Sequence, residues 1–217
     1  MRKAVSVKTY TALPDYDRRE ILRYAGVRGD GDETLQALLG ECLQACDRAF
    51  TYRVCYAELT KTEFFELFPP SETAKGWTEN CEKIVLFAAT VGLEIDRLVN
   101  RYASVSTAKA LLFQAIGAER IEALCDRFCE DFSVDGGVCG RRFSPGYGDF
   151  PLTAQREIFA LLQPEKHIGV TLLDSYLMSP TKSVTAVFGL KNTPCNETKE
   201  EKNCALCGKA DCAFKKD

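Results

Sequence analysis

Histidine is nearly missing from this chain: His167 is the only one. No Ser-His-Asp set is recognisable around it, so covalent catalysis by an activated serine is not written into the sequence. No run of 18 apolar residues occurs, which leaves no segment for a membrane-spanning helix. Excess positive charge is also lacking. The formal net charge is −3, so no basic field awaits a nucleic acid. The start, Met1-Arg-Lys-Ala-Val-Ser-Val-Lys8, contains no apolar core of a signal peptide, and a cytoplasmic location is expected. No internal repeat is present. What the chain does have is apolar content: 46% of its 217 residues are hydrophobic, enough for a sizeable core in one large domain or two small ones. Cysteine is plentiful at 11 residues, an odd number. In a reducing compartment such cysteines act as small buried hydrophobes rather than disulfides.

The pattern along the chain mixes helices and strands without strict alternation. Residues 1–16 form a short strand or arm ending at Pro14, and 17–27 a short helix with Ile21, Leu22 and Tyr24 inward. From Thr34 an apolar stripe runs through Leu35, Leu38, Leu39, Cys42, Leu43 and Cys46, which predicts a helix. The spacing of Cys42 and Cys46 would suit a metal, but their place inside the stripe assigns them to the core. Residues 51–59 alternate as a strand, and 62–68 make a short helix or turn before Pro69-Pro70. The run Ile84-Val-Leu-Phe-Ala-Ala89 is that of a strand buried on both faces. A helix follows over 94–103, and the longest helical pattern spans 106–129. Further strands are expected at 169–173 and 183–190. The class is α+β, with a twisted, largely antiparallel sheet flanked by helices.

Between the long helix and the last strands lies Arg142-Phe-Ser-Pro-Gly-Tyr-Gly-Asp-Phe-Pro-Leu152. Pro145 fixes its own φ, and Gly146 and Gly148 permit positive φ and close approach to the backbone. Tyr147 is the one large side chain between the glycines. A cation, backbone donors and an aromatic face are what a loop clamping a small polar ligand needs. The same residues would also suit a plain surface turn.

The residues that follow decide between the two. Glu165-Lys-His-Ile-Gly169, Ser175-Tyr-Leu-Met178 and Ser183-Val184 succeed Arg142-x-x-x-Gly146-Tyr147 in order. Together, residues 142–189 resemble the activation (reactivation) domain of cobalamin-dependent methionine synthase, in the stand-alone form that serves an enzyme lacking this domain. The resemblance implies a bent sheet flanked by helices and a specific task. Cobalamin oxidised to Co(II) is recovered by one electron plus a methyl group from S-adenosylmethionine. The domain binds S-adenosylmethionine and presents its methyl to the metal, and methyl transfer drains the small reduced population. The cobalamin and its ligating histidine belong to the partner, a methionine synthase or related corrinoid protein; this chain has no Asp-x-His-x-x-Gly signature of its own. The electron would come from a donor such as a flavodoxin. No nucleic acid or membrane partner is implied.

The resemblance also implies the site. Arg142 would hold the ligand's carboxylate through its bidentate fork. A helical glutamate would pair with the ammonium; Glu122 is the best match, with Glu119 and Asp126 as neighbouring alternatives. Tyr147 would offer an aromatic face or a hydroxyl, and Ser144 and Gly146 backbone hydrogen bonds. Phe188 stands where longer domains place a pocket tyrosine on the final strand. The family's N-terminal aspartate has no counterpart that the sequence identifies. His167 reads as a surface or capping residue.

Residues 1–192 thus read as the domain, and 193–217 as an appended tail rich in charge and cysteine. Cys195, Cys204, Cys207 and Cys212 place four thiols in a short span, a set that suits zinc or an iron–sulfur cluster. A disordered tail with free thiols is the alternative, but cysteines this concentrated in a polar segment pack no core, which favours metal, and the need for an electron favours the cluster. Two other functions share these features: a partner of a different corrinoid methyltransferase, and a metal or iron–sulfur module on a scaffold that does not bind S-adenosylmethionine.

Overall fold

The computed structural model describes residues 3–68, 72–78, 81–134 and 138–191. The chain runs β1 (Ser6–Tyr10), α1 (Arg18–Tyr24), α2 (Glu33–Ala45), β2 (Tyr52–Thr60), α3 (Lys61–Leu67), α4 (Glu72–Thr78), β3 (Lys83–Thr90), α5 (Glu94–Ala103), α6 (Thr107–Val134) and β4 (Val138–Cys139). There follow a 3-10 turn (Leu152–Ala154), α7 (Gln155–Leu162), α8 (Pro164–Ile168), β5 (Thr171–Leu172), β6 (Met178–Ser179) and β7 (Ser183–Lys191). The main sheet has the order β1-β2-β3-β7-β4, antiparallel at every pairing. This is the α+β arrangement expected.

Local chemistry sets the helix starts. Asp17 accepts from the backbone of Arg19 and Glu20, and Asp32 from Leu35. Each satisfies amides that the first turn leaves without a partner. Thr60 and Glu63 form a reciprocal capping box where β2 passes directly into α3.

β3 lies at the centre of the sheet, so both of its faces are covered. Val85, Phe87 and Ala89 point into the layer of α1, α2, α5 and α6, while Ile84, Leu86 and Ala88 point into that of α3, α4, α7 and α8. The alternation explains why its sequence is apolar without a break. α6, with 28 residues, is about 42 Å long and backs the whole sheet. Cys42 and Cys46 are buried in the first layer, as their place in the stripe required.

The segment 169–173 departs from expectation. Thr171–Leu172 pairs only with Met178–Ser179, in a separate two-stranded ladder. The chain turns back at once, with Tyr176 at positive φ, so the segment never reaches the main sheet. The stretch before it is helical rather than loop: Pro164 opens α8 at its first position, and Gly169 closes it in a left-handed conformation. His167 is half-buried in the last turn of α8, in keeping with a capping residue. The tail cysteines 195, 204, 207 and 212 lie outside the described residues.

Candidate functional site

The loop after β4 is aimed by a register change in the sheet. Gly140 donates to the Gly189 carbonyl at 2.9 Å, continuing the β4–β7 ladder. Three residues later, Phe143 and Val187 exchange both backbone hydrogen bonds. Arg141 and Arg142 therefore oppose Phe188 together, which is a β-bulge. Were the β4 register to continue without the bulge, Arg142 would oppose Val187 and share its face, in the α7 layer. With the bulge, Phe143 packs in that layer and Arg142 reaches α6.

There Arg142 meets two carboxylates one helical turn apart. Its Nη2 donates to Glu122 Oε2 at 2.8 Å and its Nη1 to Asp126 Oδ1 at 2.5 Å. The arginine side chain is 20% exposed, against 45% and 47% for its partners, so the cluster sits at the mouth of the layer. Burial works against the guanidinium's charge. The charges of Asp126 and Glu122 outweigh it, and Arg142 titrates above its ordinary range. Burial also pushes the Cys125 thiol far up, which keeps it neutral and leaves the compensation to the carboxylates. Tyr24, at the end of α1, borders the cluster: burial and then the charge of Glu122 raise its phenol.

The alternatives to Glu122 separate clearly. Glu119 is buried in an ion pair with Arg120, whose guanidinium also donates to the carbonyls of Pro14 and Asp15 and lies over the Tyr16 ring. That pair fastens the N-terminal segment to α6. Asp126 does not replace Glu122; it joins it. The sequence offered Asp126 only as an alternative to Glu122 and not as its companion, and Tyr24 carried no signal as a site residue.

The loop itself is a compact turn. Gly146, at φ 96°, donates to the Phe150 carbonyl at 2.8 Å, and Tyr147 N–H donates to the Ser144 carbonyl. Gly146 N–H is thus engaged within the loop instead of standing free for a ligand, a correction to the expectation. Pro145 is buried, and Phe150 stands edge-on to Phe68, while Asp149 accepts from the backbone of Glu72 at 2.9 Å. These anchors hold Tyr147 outward, 65% exposed.

Phe188 needs a second correction. It is fully buried among Phe87, Phe128 and Phe132, with the Phe132 ring at 5.4 Å, and presents no open face on which a ligand could stack. It forms the floor beneath Arg142. A shallow concavity of about 370 Å³ between Phe159 and Lys166 lies in the opposite layer and takes no part in this cluster. Among the described residues no group of three or more His, Cys, Asp or Glu side chains is arranged to hold a metal, and no helix is long and apolar enough to cross a membrane.

An antiparallel sheet between two helical layers, with an arginine loop set against the long helix, defines the class of this protein. The chain belongs to the family described as "Vitamin B12 dependent methionine synthase, activation domain", whose model matches residues 73–194. Its fold is similar to a structure titled "Crystal Structure of the MetH Reactivation Domain bound to AdoHcy", with a TM-score of 0.59 at 16% identity over 87% of this chain and 78% of that one.

Proposed function

We propose that this chain binds S-adenosylmethionine at the Arg142 loop and serves the reductive methylation of cob(II)alamin held by a separate methionine synthase that lacks its own activation domain. One observation carries the reading: the bulge brings Arg142 against Glu122 at 2.8 Å, joining a cation for a carboxylate to an anion for an ammonium at the start of the loop that carries the exposed Tyr147. Family membership and the fold shared with a reactivation domain bound to AdoHcy support it. Arg142, Glu122, Ser144 and Tyr147 would hold the amino-acid end and flank the sulfonium. Gly146 would serve by letting the ligand approach the backbone. Phe188 would act only as the hydrophobic floor. The protein's part is to position the methyl group in line with the metal.

The partner in this reading is the cobalamin-binding module, with a reductant such as a flavodoxin. The tail, residues 193–217, is proposed as an appended unit whose Cys195, Cys204, Cys207 and Cys212 take zinc or an iron–sulfur cluster. Anaerobic purification with iron, sulfide and zinc analysis tests it, with Cys204→Ser and Cys207→Ser together as the control. The test of the function is cob(II)alamin methylation by the purified partner under a reductant, with and without this chain. Methylation that requires both the chain and S-adenosylmethionine is expected; the same rate without the chain refutes the reading.

A further inference from the structure

We infer that Asp126 occupies the ligand's carboxylate position on Arg142, so that binding proceeds by exchange of one carboxylate for another. The inference rests on the reading above, in which Arg142 takes the carboxylate of S-adenosylmethionine. Both terminal nitrogens of Arg142 are already engaged, Nη2 by Glu122 at 2.8 Å and Nη1 by Asp126 at 2.5 Å. A guanidinium has a fixed fork of donors, and a bidentate carboxylate needs a pair of them on one edge. An incoming carboxylate thus meets a fork that two anions have filled. The local sum of the three side chains is one negative charge, which repels a carboxylate that does not displace one of them.

Asp126 is the one to yield. Glu122 is the anion that pairs with the ligand's ammonium, so it stays. The shorter Asp126 side chain cannot follow the guanidinium far, and at 47% exposure water receives it on release. The exchange keeps Arg142 compensated at every stage, because its charge is matched by Asp126 before binding and by the ligand after it. It also selects chemistry. A zwitterionic α-amino acid end supplies both the anion that replaces Asp126 and the cation that occupies Glu122. A ligand with the ammonium alone leaves Asp126 in place.

Calorimetry on the full chain tests this with S-adenosylmethionine and its decarboxylated analogue. The isosteric Asp126→Asn removes the competing charge. It is expected to tighten S-adenosylmethionine by about three- to tenfold, the scale of a half-exposed ion pair, and to leave the decarboxylated analogue unchanged. Glu122→Gln is expected to weaken both ligands. Asp126→Ala repeats the first variant without the amide, and circular dichroism confirms that each variant is folded. If Asp126→Asn leaves the affinity for S-adenosylmethionine unchanged or weakens it, the exchange is overturned while the binding function stands. If it tightens both ligands alike, Asp126 does not compete with the ligand's carboxylate in particular, and the exchange is again overturned. Failure of the wild-type chain to bind S-adenosylmethionine overturns the function itself.

Discussion

Arg142 and Arg120 both rest on carboxylates, yet they sit in different surroundings. Arg142 lies at the mouth of its layer with partly exposed partners, and in the proposed reading it exchanges one of them for the ligand. Arg142→Ala is expected to weaken S-adenosylmethionine by roughly 1.5–3 kcal/mol, about one to two decades in affinity, because a charged bidentate contact is lost. Calorimetry measures it, and little change in the unfolding midpoint should accompany it beyond the loss of a half-exposed cluster. Arg120 faces inward, with side-chain exposures of 3% for itself and 6% for Glu119. Glu119→Gln leaves a cation in the interior without its counter-charge, which costs about 3 kcal/mol or more. Urea denaturation should show that loss, while the affinity for S-adenosylmethionine in the folded fraction holds. The two substitutions thus separate binding from stability within one helix.

Elements decide what the residues meet. Deleting Arg141 removes the bulge but leaves Arg142 as the single residue opposite Phe188, still on the α6 face, because Gly140 and Phe143 keep Gly189 and Val187 as partners. The deletion is therefore expected to keep the binding of S-adenosylmethionine that Arg142→Ala loses; calorimetry on the folded deletion variant checks it. Thr60→Ala breaks the capping box at the β2–α3 junction and should cost about 1 kcal/mol, read from the urea midpoint. Much of this level was legible in the sequence. The limits of α5 were readable to the residue, because Ile95, Leu98, Val99 and Tyr102 carry the helical period on an otherwise polar segment. The double burial of β3 was legible in its unbroken apolar run. The bulge was not, since it exists only in the pairing of residues 140–143 with 187–189 and leaves no mark in either segment alone. α8 was missed because five residues are too few to show a period. Phe188 was misplaced for a related reason: the sequence shows that it lies on the final strand, but not that α6 closes over it. The Arg142 loop was legible as a candidate site, whereas Asp126, its second carboxylate, was legible only as an alternative to the first.

At the scale of the whole molecule, the core is lined with thiols and phenols held neutral. Burial pushes Cys46 and Cys55 up to about 12, and raises Tyr10 and Tyr16 as well. A raised folded-state pKa contributes stability that is complete below the unfolded value and is lost as pH climbs towards the folded one. For the two cysteines that window runs from about 9 to about 12. Urea unfolding across this range should show stability falling steadily with pH, with a shallower slope in a Cys46→Ala, Cys55→Ala double variant; equal slopes would refute the assignment. The sheet order has a consequence of another kind. β1, β2 and β3 are neighbours in space in the order in which they are made, but β7 inserts between β3 and β4 only after the long excursion through α5 to β6. During synthesis the growing chain therefore carries β3 with one bare edge until its last strand appears. The contact that completes the sheet closes the longest loop between paired strands, which slows it and leaves that edge the place where a premature stop would invite aggregation.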